Sequence, residues 1–169
     1  MRFAKLALPV LILIFGGCGY KLATKRTNAG EGRTIAVPTF TNATTTYRVE
    51  QRLSDALRRE LVQRTKYNVA SGDSGDVLVT GEVLRYSASP STIISGRASS
   101  YIISVEVRVA ITDTRSGEVL YQNPGMRFQE NFEMAPNSKQ FVPEEPAAVD
   151  RVAAAFASTL VASLINLKP

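Results

Sequence analysis

The 169-residue chain carries 20 lysines and arginines against 15 acids, a single cysteine, and neither histidine nor tryptophan. That length predicts one domain, and the missing histidines exclude His-based zinc sites, Ser-His-Asp or Cys-His nucleophiles and imidazole acid/base chemistry. One cysteine forms neither an intrachain disulfide nor a Cys-only zinc cluster.

Residues 1–17 read as an export signal. Arg2 and Lys5 form a basic start, and residues 6–15 form a nearly unbroken apolar run. The run is too short to cross a bilayer, which takes about 20 residues, but suits a signal sequence. The only cysteine follows directly, in Phe15-Gly16-Gly17-Cys18. This resembles a bacterial lipobox, although Phe15 stands where leucine is usual. Lipidation explains both the position of Cys18 and the absence of a second thiol, and several acyl chains give stable anchoring where one would be marginal. Gly19, rather than aspartate, follows the cysteine; by that resemblance the protein is sorted to the outer membrane. Without residues 1–17 the chain keeps 18 cations against 15 anions. Residues 21–108 hold 13 cations and 8 anions, residues 109–169 only 5 and 7. In an envelope protein this balance points to anionic lipid, glycolipid phosphate or an acidic lumen rather than to nucleic acid.

Residues 19–32 are small and polar and read as a tether. Residues 34–40 (Thr-Ile-Ala-Val-Pro-Thr-Phe) predict a short strand with Pro38 at its end or edge. A loop rich in helix-capping residues follows at 41–46. Val49, Leu53, Ala56, Leu57 and Leu61 then recur at helical spacing, with Asp55–Arg59 and Glu60–Arg64 as i,i+4 pairs. The many arginines of this helix read as its solvated side.

Residues 68–76 read as a turn-rich bridge, and residues 77–86 as a strand in which Gly81 marks a bulge or a close backbone approach. Residues 87–100 read as a long loop of small polar residues around Ile93-Ile94, with Gly96-Arg97 after them; loops of that length tend to be functional or mobile. The clearest strand is 101–112. Tyr101, Ile103, Val105, Val107, Val109 and Ile111 face one way; Ser104, Glu106, Arg108 and Thr112 face the other. Asp113-Thr114-Arg115-Ser116-Gly117 predicts a hairpin turn, and residues 118–132 a returning strand with a bulge at Pro124-Gly125. Residues 131–143 read as a polar connection. Acids and proline at 143–146 suit a helix start, and Val149, Val152, Ala153, Phe156, Leu160, Leu164 and Leu167 form a second apolar stripe.

These elements predict an α+β sandwich: two helices on one face of a four-stranded mixed sheet, in the order β-α-β-β-β-α. The first strand-helix-strand unit is expected to pair in parallel and the later strands to meander antiparallel. No Ser-x-x-Lys sequence is present. Asp73 and Asp76 lack the ligand spacing of a calcium loop, and Gly30-x-Gly32 precedes the first strand, so it is no dinucleotide fingerprint. No catalytic residue, metal or cofactor is therefore expected, apart from covalent lipid on Cys18.

In order, Cys18-Gly19-Tyr20, Ile35-Ala36-Val37-Pro38-Thr39-Phe40-Thr41-Asn42, the helix with Glu50, Leu53, Leu57 and Leu61, the strand 76–83 and the last helix resemble the LptE family of lipopolysaccharide-assembly lipoproteins. The resemblance covers essentially the whole chain after Gly17. It implies a two-helix, four-strand sandwich that plugs the β-barrel LptD, binds lipopolysaccharide and assists folding of the barrel; it implies no enzyme. The corresponding division is a signal peptide at 1–17, a lipidated cysteine and tether at 18–32 and one LptE-like domain at 33–169. Arg97 and Lys139 are the candidates for lipid A phosphates, through charge-assisted bonds. Ile93 and Ile94 are candidates for an acyl chain or the barrel wall, and Arg108 for the polar lumen. The alternative is a CsgG-type or TolB-N-terminal-type lipoprotein, whose modules share the Ile-Ala-Val-Pro-Thr-Phe strand before a helix.

Overall fold

A computed structural model describes residues 29–94, 97–133 and 145–167. The elements are β1 (Thr34–Ala36), β2 (Thr41–Asn42), α1 (Val49–Arg64), β3 (Asn68–Ala70), β4 (Val77–Ile94), β5 (Arg97–Asp113), β6 (Val119–Glu133) and α2 (Glu145–Asn166). The sheet runs β3-β1-β4-β5-β6, with β2 also on β4. β1 lies parallel to β3 and β4, β2 is parallel to β4, and β4, β5 and β6 are antiparallel. The expected parallel unit and antiparallel meander are both present.

The sheet has six strands, not four, and the order differs accordingly. β1 and β2 are two pieces of one line along β4: Ile35 and Ala36 face Val77 and Leu78, then Thr41 and Asn42 face Glu82 and Val83. Pro38, with no amide hydrogen, stands in the interruption. Arg58 holds it to α1, its Nε donating to the Val37 carbonyl at 2.9 Å while its guanidinium pairs with Asp55 at 2.6 Å. Asp55 thus pairs with Arg58 and not with Arg59 as expected, whereas Glu60–Arg64 forms at 3.1 Å. β3 occupies part of the supposed bridge.

The largest departure is at residues 87–100. Most of them are not loop: β4 and β5 continue as a paired hairpin until Ile94 faces Arg97. Backbone hydrogen bonds carry this ladder without an apolar alternation, and register shifts between Pro90 and Thr92 and between Thr92 and Ile93 accommodate the proline. The hydroxyls of Ser91 and Ser100 meet across it at 2.6 Å. The bulge expected at Pro124-Gly125 is present, since the β5–β6 register slips between Val107/Met126 and Val109/Asn123.

Both helices lie on one face of the sheet and share one core. The odd-numbered side chains of β5 from Ile103 to Ile111 meet Leu53, Leu57 and Leu61 of α1 and Val152, Phe156 and Leu160 of α2, all buried. Phe156 sits edge-on to both Phe40 and Phe128, with centroids 5.8 and 5.7 Å away. By length and composition α2 could cross a bilayer, but its apolar stripe is spent on this core. The threonines before α1 do not cap it. Arg48 takes the cap position with a left-handed φ of 62° and no side-chain cap bond. Instead, Asn42 organises the approach, donating to the Thr46 carbonyl and to Glu50 at 2.8 Å each and accepting from the Thr44 amide and hydroxyl.

Candidate functional site

The helix-free face of the sheet is built by strand alternation. Every second residue of β5, from Ser104 to Thr112, points away from the helices, and partners on β4 and β6 share that side. Two rows of charge cross it. Arg85 and Arg127 flank Glu106 at 3.3 and 3.1 Å, and Arg108 pairs with Glu82 at 2.8 Å. These pairs neutralise most of the face while leaving it polar. Beside them Thr41, Thr80, Ala110 and Gln122 line a shallow hollow of about 270 Å³, open because the residues there are small. Among the described residues no group of three or more potential metal-ligating side chains occurs.

At one end of this face the β4–β5 hairpin projects. Ile93, facing Ala98 in the ladder, is 68% exposed. The backbones of Ile94 and Arg97 pair directly, which sets the apolar pair and the cation one step apart across the hairpin. Cys18 and Lys139 lie outside the described residues. The structure therefore groups Ile93, Ile94 and Arg97, and places Arg108 far down the same sheet. Arg108 is engaged by Glu82, so it is not a free cation. Sequence reading missed the roles of Glu82, Arg85 and Arg127. Strand parity carried a signal for Glu82 and Arg127, whereas Arg85 has the parity of buried Val79 and Val83 and reaches the face of Glu106 only because the register shifts between Val83 and Arg85.

At the other end lies a second charged cluster. Asp76 accepts from the Thr34 amide at 2.8 Å and pairs with Arg115 at 2.5 Å; the two hold its carboxyl below the usual carboxylate range. Asp113 pairs with Arg33 at 2.5 Å and accepts from the Ser116 and Arg115 amides, with the same effect. Nearby, burial pushes the Tyr67 hydroxyl up. These bonds tie the entering chain to the β5–β6 turn and are a clamp rather than a ligand site.

Compared with known families, residues 32–164 match the model of LptE, described as lipopolysaccharide-assembly. The chain belongs to the LptE family. The match spans the sheet, α1 and α2 as far as Leu164. No curated protein matches the chain by sequence. Several solved structures share the fold. The PelC dodecamer from Paraburkholderia phytofirmans is 14% identical with a TM-score of 0.54, covering 83% of this chain and 91% of its own. The uncharacterised lipoprotein B from Nitrosomonas europaea is 10% identical with a TM-score of 0.52, over 85% and 88%. The hypothetical protein CT253 from Chlamydia trachomatis is 12% identical with a TM-score of 0.54, over 82% and 98%. At such identities the likeness establishes the fold alone. Membership places the chain in a lipopolysaccharide-assembly family.

Proposed function

We propose that the mature protein is held in the outer membrane by lipid on Cys18, seats as a plug within the β-barrel LptD, and binds lipopolysaccharide during its insertion into the outer leaflet. The observation that carries this reading is the LptE match over residues 32–164. In this reading residues 1–17 are removed as a signal peptide, residues 18–32 are the lipidated cysteine and tether, and the rest is one domain.

The open sheet face supports the plug role. A large barrel has a polar lumen, and the paired charges of Arg85, Glu106, Arg127, Glu82 and Arg108 leave that face polar with little net charge to bury. Arg108 contributes as part of this surface. Arg97 and Lys139 meet lipid A phosphates, and Ile93 and Ile94 meet an acyl chain or the barrel wall. Guanidinium suits phosphate because it donates two parallel hydrogen bonds.

The test is a mild-detergent pull-down of the tagged, lipidated protein from its own outer membrane, read by mass spectrometry and native sizing. A one-to-one complex with a single large β-barrel protein is expected. A homomeric ring would replace the plug reading with that of a secretion lipoprotein of the CsgG type.

A further inference from the structure

The arginines of α1 are not uniformly solvated. Arg52 pairs with Asp150 of α2, Arg64 with Glu60, and Arg58 with Asp55 and the Val37 carbonyl. Arg59 is exposed and forms neither an ion pair nor a side-chain hydrogen bond among the described residues. It borders the outer edge of the sheet. β3 stands last in the strand order, with no strand beyond it among the described residues. The Asn68 amide donates to the Arg33 carbonyl at 3.0 Å, and the Val37 amide to the Ala70 carbonyl at 2.8 Å. Residues 68 and 70 thus turn their backbone polar groups toward β1. Successive residues of a strand point these groups to opposite sides. Val69, between them, directs its N–H and its carbonyl outward, where an added strand would take them.

The Val69 side chain lies on the helix side, opposite buried Ile35, and packs on the core. There Arg58, Arg59, Val62 and Gln63 of α1 face Val69 and Ser71 of the sheet edge across a hollow of about 380 Å³. Val62 is 48% exposed. The hollow therefore has an apolar floor, two guanidinium groups on its rim and no acid in its lining. Because Arg58 is already paired, Arg59 is the charge left to be matched.

A helix groove beside an open strand edge suits strand addition, in which the main chain gives affinity and side-chain pockets give selectivity. β3 is three residues long, so its outward backbone offers one donor and one acceptor. The selectivity must come from the hollow. Every second side chain of an added strand turns to the helix side. One of these can rest on the apolar floor while the next on that side reaches the rim.

We propose that the groove between α1 and β3 docks an extended acidic segment of a partner protein. The segment bonds to the Val69 backbone, places a branched aliphatic side chain on Val62 and Val69, and sets a carboxylate on Arg59. The charge of the lining selects acid over base, and a charge-assisted bond to guanidinium fixes the register. The groove lies at the helix-bearing edge, apart from the helix-free face, so the proposal stands or falls independently of the plug reading.

The probe is a phage-displayed library of random nonapeptides, selected on the lipidated full-length protein in detergent and counter-selected on empty micelles. The expected result is enrichment of sequences with a branched aliphatic residue and an acid two positions apart. The leading peptide, synthesised with a fluorophore, should bind about tenfold more weakly to Arg59→Glu. Replacing its acid by lysine should restore binding to that variant. Val69→Pro removes the outward N–H at a position where an edge strand tolerates proline, and should weaken binding too. Circular dichroism checks its folding; if it fails, the charge swap at exposed Arg59 still decides. No enrichment, enrichment of basic sequences, or a leading peptide indifferent to Arg59→Glu overturns the proposal. So does sedimentation showing a dimer of this chain that Arg59→Glu dissociates, which would give the groove to a second copy.

Discussion

The ring of Phe40 fills the space that a side chain at Gly81 would occupy: a Cβ built there would lie 2.6 Å from the ring. This is the close backbone approach that a lone glycine inside a strand signals. It matters because Phe40 also packs on Phe156, which couples the β1–β2 segment, the central strand and α2 in one place.

Gly81→Ala is therefore expected to cost about 1–3 kcal/mol through overpacking. Urea denaturation of the soluble domain measures it. The pair Gly81→Ala with Phe40→Leu should recover part of the loss, and strict additivity in that double-mutant cycle would refute direct contact.

Ser54 is a second such junction. Its buried hydroxyl accepts the Phe40 amide at 2.9 Å and donates to the Glu50 carbonyl at 2.7 Å. Ser54→Ala leaves a buried backbone N–H unpaired, at a cost of about 1–3 kcal/mol. Ser54→Gly should do no better, since neither residue supplies the acceptor. Amide exchange at Phe40 should speed up in both.

The clamp of Asp76 and Asp113 predicts a pH dependence. Both carboxyls titrate below their unfolded value of 3.8 in the folded protein. Their stabilisation is thus fully present above about pH 4 and is lost as pH falls through the lower folded values. Denaturation midpoints between pH 6 and pH 2 should fall steeply at the acid end. In Asp76→Asn with Asp113→Asn the midpoint should be lower at pH 6 and flatter with acid.

Charge reversal at both candidate cations, Arg97→Asp with Lys139→Asp, should weaken lipopolysaccharide binding at low salt several-fold while leaving circular dichroism unchanged. Unaltered affinity would remove these residues from the ligand site without touching the family assignment.

Cys18→Ala should leave an uncleaved or soluble precursor that does not partition into detergent as the lipidated protein does. Normal partition into detergent would refute the anchor.

Hydrophobic spacing determined both helices and the faces of β5, and turn-forming residues determined the 113–117 turn and the bulge near Gly125. Burial imposes a period of 3.6 or 2 on apolar residues, and that period is written into the chain. Motif order determined the family in the same way. Tertiary structure alone decided what carries no period. β2 and β3 are two and three residues long and exist only because β4 and β1 lie beside them. Residues 87–100 are small and polar, so only cross-strand backbone pairing turns most of them into a hairpin. Arg108 was legible as outward-facing, but its neutralisation by Glu82, 26 residues away, follows from strand register.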